Sequence, residues 1–508
     1  MLSLVIFAPM LAAAVLAGLP RVADRWARTV WVLVSGADLA ILLGMWVASP
    51  LVGTRTGLAW EQQVAWMPSV GTSYHVGVDG LSMPLLVLTA VLSVACATYS
   101  WHERRAPRAH AALFLFLQST SLGLFAAADL ILFFVFFDLS LVAMYFIIAR
   151  WGHGDAPRSA LTFFLYTFLG SLALLVGFIG LYVGADPHTF DIVELTRSMP
   201  LSDRPLAGIL VLAAIVVGLA VKTPVVPLHT WLPPAHTDAP APGSAMLAGV
   251  MLKMGAYGFL RIAMPILPEA WRSAAVVIVV LGVLSVVYSA FVALAQTDFK
   301  RMIAYTSVTH MGYVVMAAGV IGLPAAPGPV APAGAGGTGL AAGGLGLSQV
   351  ALTGAVTQLV SHGLVTGSLF LLAGVLHERT GSYDMGGYGG LARPAPRFAT
   401  MLAVAAFAAL GLPGFSGFVA EFQIFAGSIG VAPATVLAVP GLLVTAALLV
   451  RALQRLLLGA PGARSRGFRD AHGVEVAAVT PLLALVVLIG VAPRPLLDVI
   501  EPAATAIV

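Results

Sequence analysis

The sequence contains few charged residues for its length. Only 9% of its 508 residues are Asp, Glu, Lys or Arg, whereas 59% are hydrophobic. Soluble domains contain about 25% charged residues, and a chain of this size with so little charge has too little polar surface to face water. The composition excludes a soluble protein and predicts a polytopic membrane protein.

Cysteine is nearly absent. Cys96 is the only one in the sequence, which excludes a disulfide framework, a CxxC pair and an iron–sulfur or zinc ligand set within the chain. We therefore expect no cofactor in this chain and expect any electron transfer to take place in other proteins. The net charge of +4 reflects loops that flank the membrane and does not indicate nucleic-acid binding.

Apolar runs of about 20 residues, the length needed to cross ~30 Å of hydrocarbon, recur along the whole chain. The first run is not preceded by basic residues, so we interpret it as a retained helix and not as a cleaved signal peptide. The helices near Pro224 and Pro413 are expected to be interrupted. We predict an all-α protein with about fourteen transmembrane helices, near residues 2–19, 29–48, 79–99, 110–127, 130–149, 160–184, 205–225, 241–264, 273–295, 302–322, 348–376, 397–425, 434–457 and 475–492.

The distribution of basic residues predicts the orientation. Eighteen of the 26 Lys and Arg residues lie in loops that follow odd-numbered helices, and six lie in loops on the opposite side. The positive-inside rule then places both termini outside the cytoplasm. The larger group is Arg21, Arg25, Arg28, Arg104, Arg105, Arg108, Arg150, Arg158, Lys300, Arg301, Arg379, Arg393, Arg397, Arg451, Arg455, Arg464, Arg466 and Arg469, and the smaller group is Arg55, Arg197, Arg204, Arg261, Arg272 and Arg494.

A Pro/Gly/Ala-rich stretch at residues 323–346 contains GAGGTG (334–339), which matches the dinucleotide pattern G-x-G-x-x-G. No predicted strand precedes it and no βαβ unit surrounds it, so the nucleotide-binding interpretation is disfavoured. We interpret the stretch as a loop between the tenth and eleventh helices. We expect that shortening it leaves assembly and activity intact.

The chain has only three lysines against 23 arginines, yet Lys222 and Lys253 lie within apolar segments. Arginine stays protonated in proteins, whereas a desolvated lysine can release and regain a proton. Lys253 follows Pro240 by 13 residues, or about 20 Å of helix, which is near the bilayer midplane. Lys222 precedes Pro224 and Pro227, where a broken helix is tolerated only beside protein or water. The alternative for Lys222 is a residue near a helix end that reaches the membrane surface.

Other ionisable residues lie within the apolar segments. Asp138 has no partner at i±3 or i±4, Glu421 follows a break at Gly-Leu-Pro-Gly (411–414), and His310 and His362 are flanked by Ser, Thr and Gln. A single buried histidine is more often a hydrogen-bonded core residue, but titratable residues on six separate helices are typical of a proton path. His229 and His236, with Asp238 nearby, are also candidate metal ligands. The prolines between them and the absence of cysteine disfavour a metal site.

Several long motifs resemble the proton-translocating, antiporter-like subunits of respiratory complex I and the related Mrp-type sodium/proton antiporter subunits. The likeness runs from about residue 75 to 430 and is carried by VDGLSMPLLVLTAVL (78–92), VKTPVVPLHTWLPPAHTDAPAPGSAMLAGVMLKMGAYGFLR (221–261), DFKRMIAYTSVTHMGYV (298–314), QLVSHGLVTGSLFLLAGVL (358–376) and LPGFSGFVAEF (412–422).

This resemblance implies two inverted five-helix repeats, at 109–267 and 268–460, with N-terminal helices at 1–108, a last helix at 461–508, and broken seventh and twelfth helices. The family's paired acidic residue corresponds to Asp138, its partner lysine to Lys222, its central lysine to Lys253 and its terminal ionisable residue to Glu421. His229, His236, His310 and His362 complete the candidate proton path. The family usually has Glu at position 138, and the shorter Asp weakens the expected pairing with Lys222.

The resemblance also implies a function. Glutamate at the terminal position is typical of M-type members, whereas L-type, N-type and antiporter members carry lysine there. The chain is then expected to move protons in a bacterial cell membrane, flanked by L-type and N-type subunits, while partner subunits hold NADH, FMN, iron–sulfur clusters and quinone. The alternatives are a subunit of a sodium/proton antiporter or of a membrane-bound hydrogenase, and a structural membrane subunit that no longer transports.

Overall fold

The computed structural model describes residues 1–18, 24–48, 57–324 and 341–508. Most of this part of the chain is helical. The first half contains α1 (Leu2–Gly18), α2 (Asp24–Val47), α3 (Ser82–Tyr99), α4 (Pro107–Ala126), α5 (Leu130–Trp151), α6 (Ala156–Gly184), α7 (Ile192–Ser198), α8 (Pro205–Lys222), α9 (Leu232–Asp238) and α10 (Ala241–Met246). The second half contains α11 (Leu252–Gly258), α12 (Met264–Ile266), α13 (Pro268–Leu294), α14 (Phe299–Ile321), α15 (Ala341–Thr380), α16 (Pro396–Ala409), α17 (Ser416–Val431), α18 (Val439–Leu457), α19 (Gly473–Val491) and α20 (Arg494–Ile507).

Within the described residues, twelve helices are long and apolar enough to cross a membrane. Three shorter apolar helices, α1, α16 and α17, account for the remaining predicted segments. Each of the fourteen predicted segments overlaps at least one of these spans and shorter helices, and the span Ala241–Ile266 comprises α10, α11 and α12. The prediction of a multi-pass helical membrane protein is confirmed, whereas the number of crossings and the repeat boundaries at 109–267 and 268–460 stay predictions.

A β-hairpin was not predicted. Strand β1 (Ala59–Met67) pairs antiparallel with β2 (Thr72–Val78), and the turn between them ends at Gly71. Gly71 has a φ of 66° and a side chain there would collide with the carbonyl oxygen of His188, so only glycine fits. The sequence predicts only a loop between the second and third spans, because strand pairing depends on tertiary contacts that periodicity does not show.

The chain is broken after α8. This helix ends at Lys222, and the irregular stretch that follows leads to α9. Two side chains bond to the backbone on either side of the break: the Trp231 indole donates to the Val221 carbonyl at 2.9 Å, and the Ser285 hydroxyl accepts from the Val226 amide at 2.9 Å. These bonds satisfy backbone groups that the prolines remove from the helical ladder, which allows the break to lie inside the protein.

A second break separates α16 from α17. It contains Gly411, whose φ of 73° favours glycine. The Glu421 carboxylate lies so close to this residue that a side chain at position 411 would collide with it. The break therefore allows the backbone to approach the buried carboxylate of α17.

The span Ala241–Ile266 is helical but not uniformly α-helical. Two π-helical turns, Leu247–Met251 and Phe259–Ala263, flank α11, which carries Lys253. π turns are rare and occur often at functional sites, because they shift backbone carbonyls out of the α-helical register.

Some predicted features fall outside the described residues. These are positions 325–340, with the GAGGTG segment, and the positions of Arg21 and Arg55; the side chain of Arg25 is also outside the description. The predicted loop at 323–346 is shorter than expected on its C-terminal side, since α15 begins at Ala341. The expectation that this loop can be shortened stays a prediction.

Candidate proton-transfer site

Lys253 is fully buried and contacts no carboxylate among the described residues. Its ammonium donates hydrogen bonds to the Ala248 carbonyl, inside the first π turn, and to Nδ1 of His362 at 2.6 Å. The π turn presents the carbonyl, and the histidine comes from α15. A charge at this depth costs several kcal/mol unless it is well solvated by protein groups, so Lys253 is a group that can give up its proton.

A second buried histidine, His310, lies next to His362. The rings of His362 and His310 meet edge to face with centroids 5.2 Å apart, and Nε2 of His310 lies 3.8 Å from Oε1 of Glu421. Nε2 of His362 and both ring nitrogens of His310 are buried without a hydrogen-bond partner. Lys253, His362, His310 and Glu421, from four separate helical segments, thus form one contiguous buried series.

A small cavity lies within this series. It has a volume of about 10 Å³ and is lined by both histidines, Glu421, Gln358 and Ser361, which is about the space that a single water needs. The Ser361 hydroxyl is hydrogen-bonded to the Ser416 hydroxyl at 2.7 Å. The gap between His310 and Glu421 is therefore lined by polar groups and has about the size of the one water that would bridge them.

The ammonium of Lys222 contacts Ser140 and not Asp138, its predicted partner. Its ammonium donates to the Ser140 hydroxyl at 3.3 Å and lies 4.6 Å from the centre of the Phe137 ring. Both residues belong to α5, and Lys222 is fully buried. The structure thus places Lys222 inside the protein, and the interpretation of a residue that reaches the membrane surface is wrong.

Asp138 is close to Lys222 but does not form an ion pair with it. Among the described residues, no oxygen of Asp138 lies within 4.0 Å of the Lys222 ammonium, which is the limit for an ion pair. The two charges are nevertheless near enough to interact. Asp138 is half-buried, and its Oδ1 has no hydrogen-bond partner. Residues i and i+2 do not share a helix face, so Lys222 contacts the inner face of α5 at Ser140 while Asp138 points elsewhere.

The two histidines of the broken segment are separated. His236 is fully buried and stacked on Phe370 at 4.6 Å, with both ring nitrogens unpartnered, and the charges of Lys253 and Lys300 both act on it. His229 is buried against Tyr288, at 5.5 Å between ring centres, and contacts none of the other predicted site residues. The structure therefore brings His236 toward the central series and leaves His229 outside it.

Two buried residues near the predicted site are not identified by the sequence. The contact of Ser140 with Lys222 depends on how α8 packs against α5, which the sequence does not show. Lys300 was interpreted as a loop residue, but it is the second residue of α14 and fully buried. The scarcity of lysine, with three in 508 residues, was the feature that could have identified Lys300.

The sequence matches the family described as "NADH:quinone oxidoreductase/Mrp antiporter, TM" over residues 127–327 and 336–448. It is 35% identical to NADH-quinone oxidoreductase subunit M of Rickettsia prowazekii over 86% of this chain and 84% of that protein. It is 34% identical to F(420)H(2) dehydrogenase subunit M of Methanosarcina mazei over 90% of this chain and 88% of that protein.

The fold is likewise similar to a chain in the structure of respiratory complex I from Thermus thermophilus with bound NADH. The two agree with a TM-score of 0.85 and 30% identity over 100% of both chains. The family's matched region contains every residue of the buried series described above, from Lys253 to Glu421. This chain is a member of the NADH:quinone oxidoreductase/Mrp antiporter transmembrane family.

Proposed function

We propose that this chain is the M-type, proton-translocating membrane subunit of a bacterial NADH:quinone oxidoreductase. Partner subunits bind NADH, FMN, iron–sulfur clusters and quinone, and this chain carries no redox centre. L-type and N-type subunits flank it in the cell membrane, with both termini on the non-cytoplasmic side. The similarity to subunit M proteins over most of the chain supports the assignment to this complex.

The observation that carries the proposal is the buried series from Lys253 to Glu421. Each step joins groups that can both give and accept a proton. The protonated lysine donates to Nδ1 of His362 at 2.6 Å, and the resulting imidazolium releases its other proton from Nε2 toward His310. His310 passes a proton across the small cavity to Glu421, 3.8 Å from its Nε2. One proton thus moves from Lys253 to Glu421, and each histidine is left as its other neutral tautomer, which must convert back before the next proton passes.

Asp138 and Lys222 control the loading of this series. When Asp138 approaches Lys222, its negative charge stabilises the ammonium; when they separate, the buried lysine loses that support and its proton moves toward Lys253. In the arrangement described here, Lys222 is hydrogen-bonded to Ser140 and not to Asp138, which corresponds to the separated state. The break after Lys222 lets the helix end shift between the two states.

The alternative of sodium transport is disfavoured by the ligands of the series. Sodium, as a hard cation, is coordinated by several oxygen atoms, whereas the central groups here are the nitrogens of Lys253, His362 and His310. A protonated lysine at the centre would also repel a cation. These groups favour protons as the transported ion.

The experiment that tests this function uses the whole complex reconstituted in liposomes with NADH as the donor. NADH-driven proton uptake is measured in sodium-free and in sodium-containing buffer. Glu421→Gln removes the end of the series, and we expect proton movement to fall by about tenfold or more in an assembled complex that still oxidises NADH. Glu501→Gln, an exposed position in α20, is the control. Unchanged pumping by Glu421→Gln, or pumping that requires sodium, would contradict the proposal.

A further inference from the structure

Lys300 is held by the end of another helix. Its ammonium donates hydrogen bonds to the last carbonyls of α9, those of Thr237 at 3.4 Å and of Ala239. It also lies 5.0 Å from the centre of the Tyr383 ring. At the start of α14 the helix dipole disfavours a cation. The carbonyls at the end of α9 and the negative charges of Asp298 and Asp238 oppose this effect and stabilise the ammonium.

A wide cavity opens beside Lys300. It has a volume of about 720 Å³ and reaches the face of the protein that carries Arg104, Arg379 and Arg469, which we name the arginine-rich face. His153, His377 and Tyr383 form its inner wall. Solvent that enters the cavity from this face therefore comes up to the groups that surround Lys300.

The three rings of the inner wall are stacked together. The centres of His153 and His377 lie 4.4 Å apart, and those of His377 and Tyr383 lie 4.7 Å apart. The charge of Lys300 acts on both histidines. For His153, which lies in the loop between α5 and α6, burial and then the charges of Lys300 and His377 lower the pKa to about 3. The histidines are thus neutral while Lys300 is charged and become better proton acceptors when it is neutral.

On its other side, Lys300 faces the central series. His236 is fully buried, has no hydrogen-bond partner on either ring nitrogen, and is acted on by the charges of both Lys300 and Lys253. When His236 is protonated, its charge in turn acts on His362. His236 therefore lies between the third buried lysine and the central lysine.

We propose that Lys300 is the proton-uptake residue of this subunit, which takes protons from the cavity on the arginine-rich face and delivers them through His236 to the Lys253–His362 pair. This inference rests on the proposed function and assigns a role to a lysine outside the central series. Protonated Lys300 gives its proton to a free ring nitrogen of His236. Neutral Lys300 then accepts a solvent proton by way of His377 and His153, and the cycle restarts.

A purely structural role makes a different prediction. If Lys300 only caps the carbonyls of α9, a guanidinium can donate the same hydrogen bonds and Lys300→Arg functions normally. If Lys300 carries protons, arginine fails because it does not deprotonate. We expect Lys300→Arg and Lys300→Met, in the assembled complex in liposomes, to lose about tenfold or more of NADH-driven pumping. Normal pumping by Lys300→Arg would overturn the inference.

A second variant keeps the inference testable if substitutions of Lys300 prevent assembly. The double variant His153→Ala and His377→Ala enlarges a cavity that already exists and should fold. We expect its pumping to be lowered and then restored by added imidazole, but not by pyrazole, a ring of the same size that is not protonated near neutral pH. Equal rescue by both rings, or undiminished pumping without them, would overturn the inference. His188→Ala, an exposed histidine away from this cavity, is the control.

The inference and the proposed function are separated by Lys253→Met in the same preparation. If Lys253→Met blocks pumping and Lys300→Arg does not, only the uptake role of Lys300 fails. If Lys253→Met also pumps normally, the proposed function itself fails.

Discussion

Nζ of Lys253 lies 2.6 Å from Nδ1 of His362, a residue 109 positions away in the sequence. The central lysine is thus paired with a neutral proton acceptor and not with a carboxylate. A carboxylate would hold the lysine proton, whereas a neutral imidazole lets it leave, because no ion pair has to be broken.

This pairing predicts the effect of His362→Gln. A glutamine oxygen can still accept a hydrogen bond from Lys253, but it cannot pass a proton on. We expect the complex to assemble and to oxidise NADH while pumping falls by about tenfold or more, measured as proton uptake per NADH in proteoliposomes. His188→Gln, on an exposed histidine, should pump normally. Retention of full pumping by His362→Gln would show that His362 only orients Lys253.

The separation of Asp138 from Lys222 predicts opposite effects of two substitutions. Asp138→Asn removes the charge that stabilises the Lys222 ammonium and should severely impair pumping. Asp138→Glu adds one methylene, about 1.5 Å of reach, and should retain it. Asp155→Asn, an exposed residue in the loop after α5, is the matched control. Full pumping by an assembled Asp138→Asn complex would remove Asp138 from the mechanism.

The β-hairpin is anchored by a buried histidine whose protonation should make its stability depend on pH. His75 bonds to Asp191 through Nδ1 at 2.5 Å and to Glu61 through Nε2 at 2.8 Å. Burial lowers the pKa of His75, but the hydrogen bonds and charges of Asp191 and Glu61 outweigh it and raise the pKa above its usual 6.5. Burial acts to raise the pKa of Asp191, but its bond to His75 and the hydrogen bonds from the Glu194 and Val193 amides outweigh burial and lower the pKa below 3.8.

The sign of the effect follows from these two shifts. The contribution of His75 is fully present below its unfolded pKa and is lost as the pH rises through the raised folded value. The contribution of Asp191 is present above its unfolded pKa and is lost only as the pH falls through the lowered folded value. We expect the protection factors of the β1 and β2 amides, which remove the intrinsic pH dependence of exchange, to be highest between about pH 4 and 6 and to fall above that range. His75→Gln should remove this fall, and protection factors that do not change with pH in the unsubstituted protein would contradict the prediction.

The sequence predicted the membrane spans because length and hydropathy determine them locally. It also predicted Lys253 and Glu421, since a charge in an apolar segment is visible without any tertiary information. Residues whose burial depends on distant contacts were harder to assign. Lys300 is next to Arg301 at the start of a helix and resembles a positive-inside residue, and only the α9 carbonyls some 60 positions earlier show that it is buried.

The same limit explains the features of the site that the sequence did not show. The preference of Lys222 for Ser140 over Asp138 depends on how α8 is rotated against α5, and periodicity does not determine that rotation. Asp38 is a charged residue of the second predicted span; it is buried in α2 and accepts a hydrogen bond from Gln118 of α4 at 2.7 Å. The sequence shows this charge, but only the tertiary contact shows which group it pairs with.

The most direct test of the account is the number of protons pumped per NADH by the Lys253→Arg complex in proteoliposomes. Arginine keeps the positive charge but does not release its proton. The account predicts that this variant assembles, oxidises NADH, and pumps no better than Lys253→Ala. Pumping at the wild-type ratio by Lys253→Arg would contradict the role of Lys253 as a proton carrier.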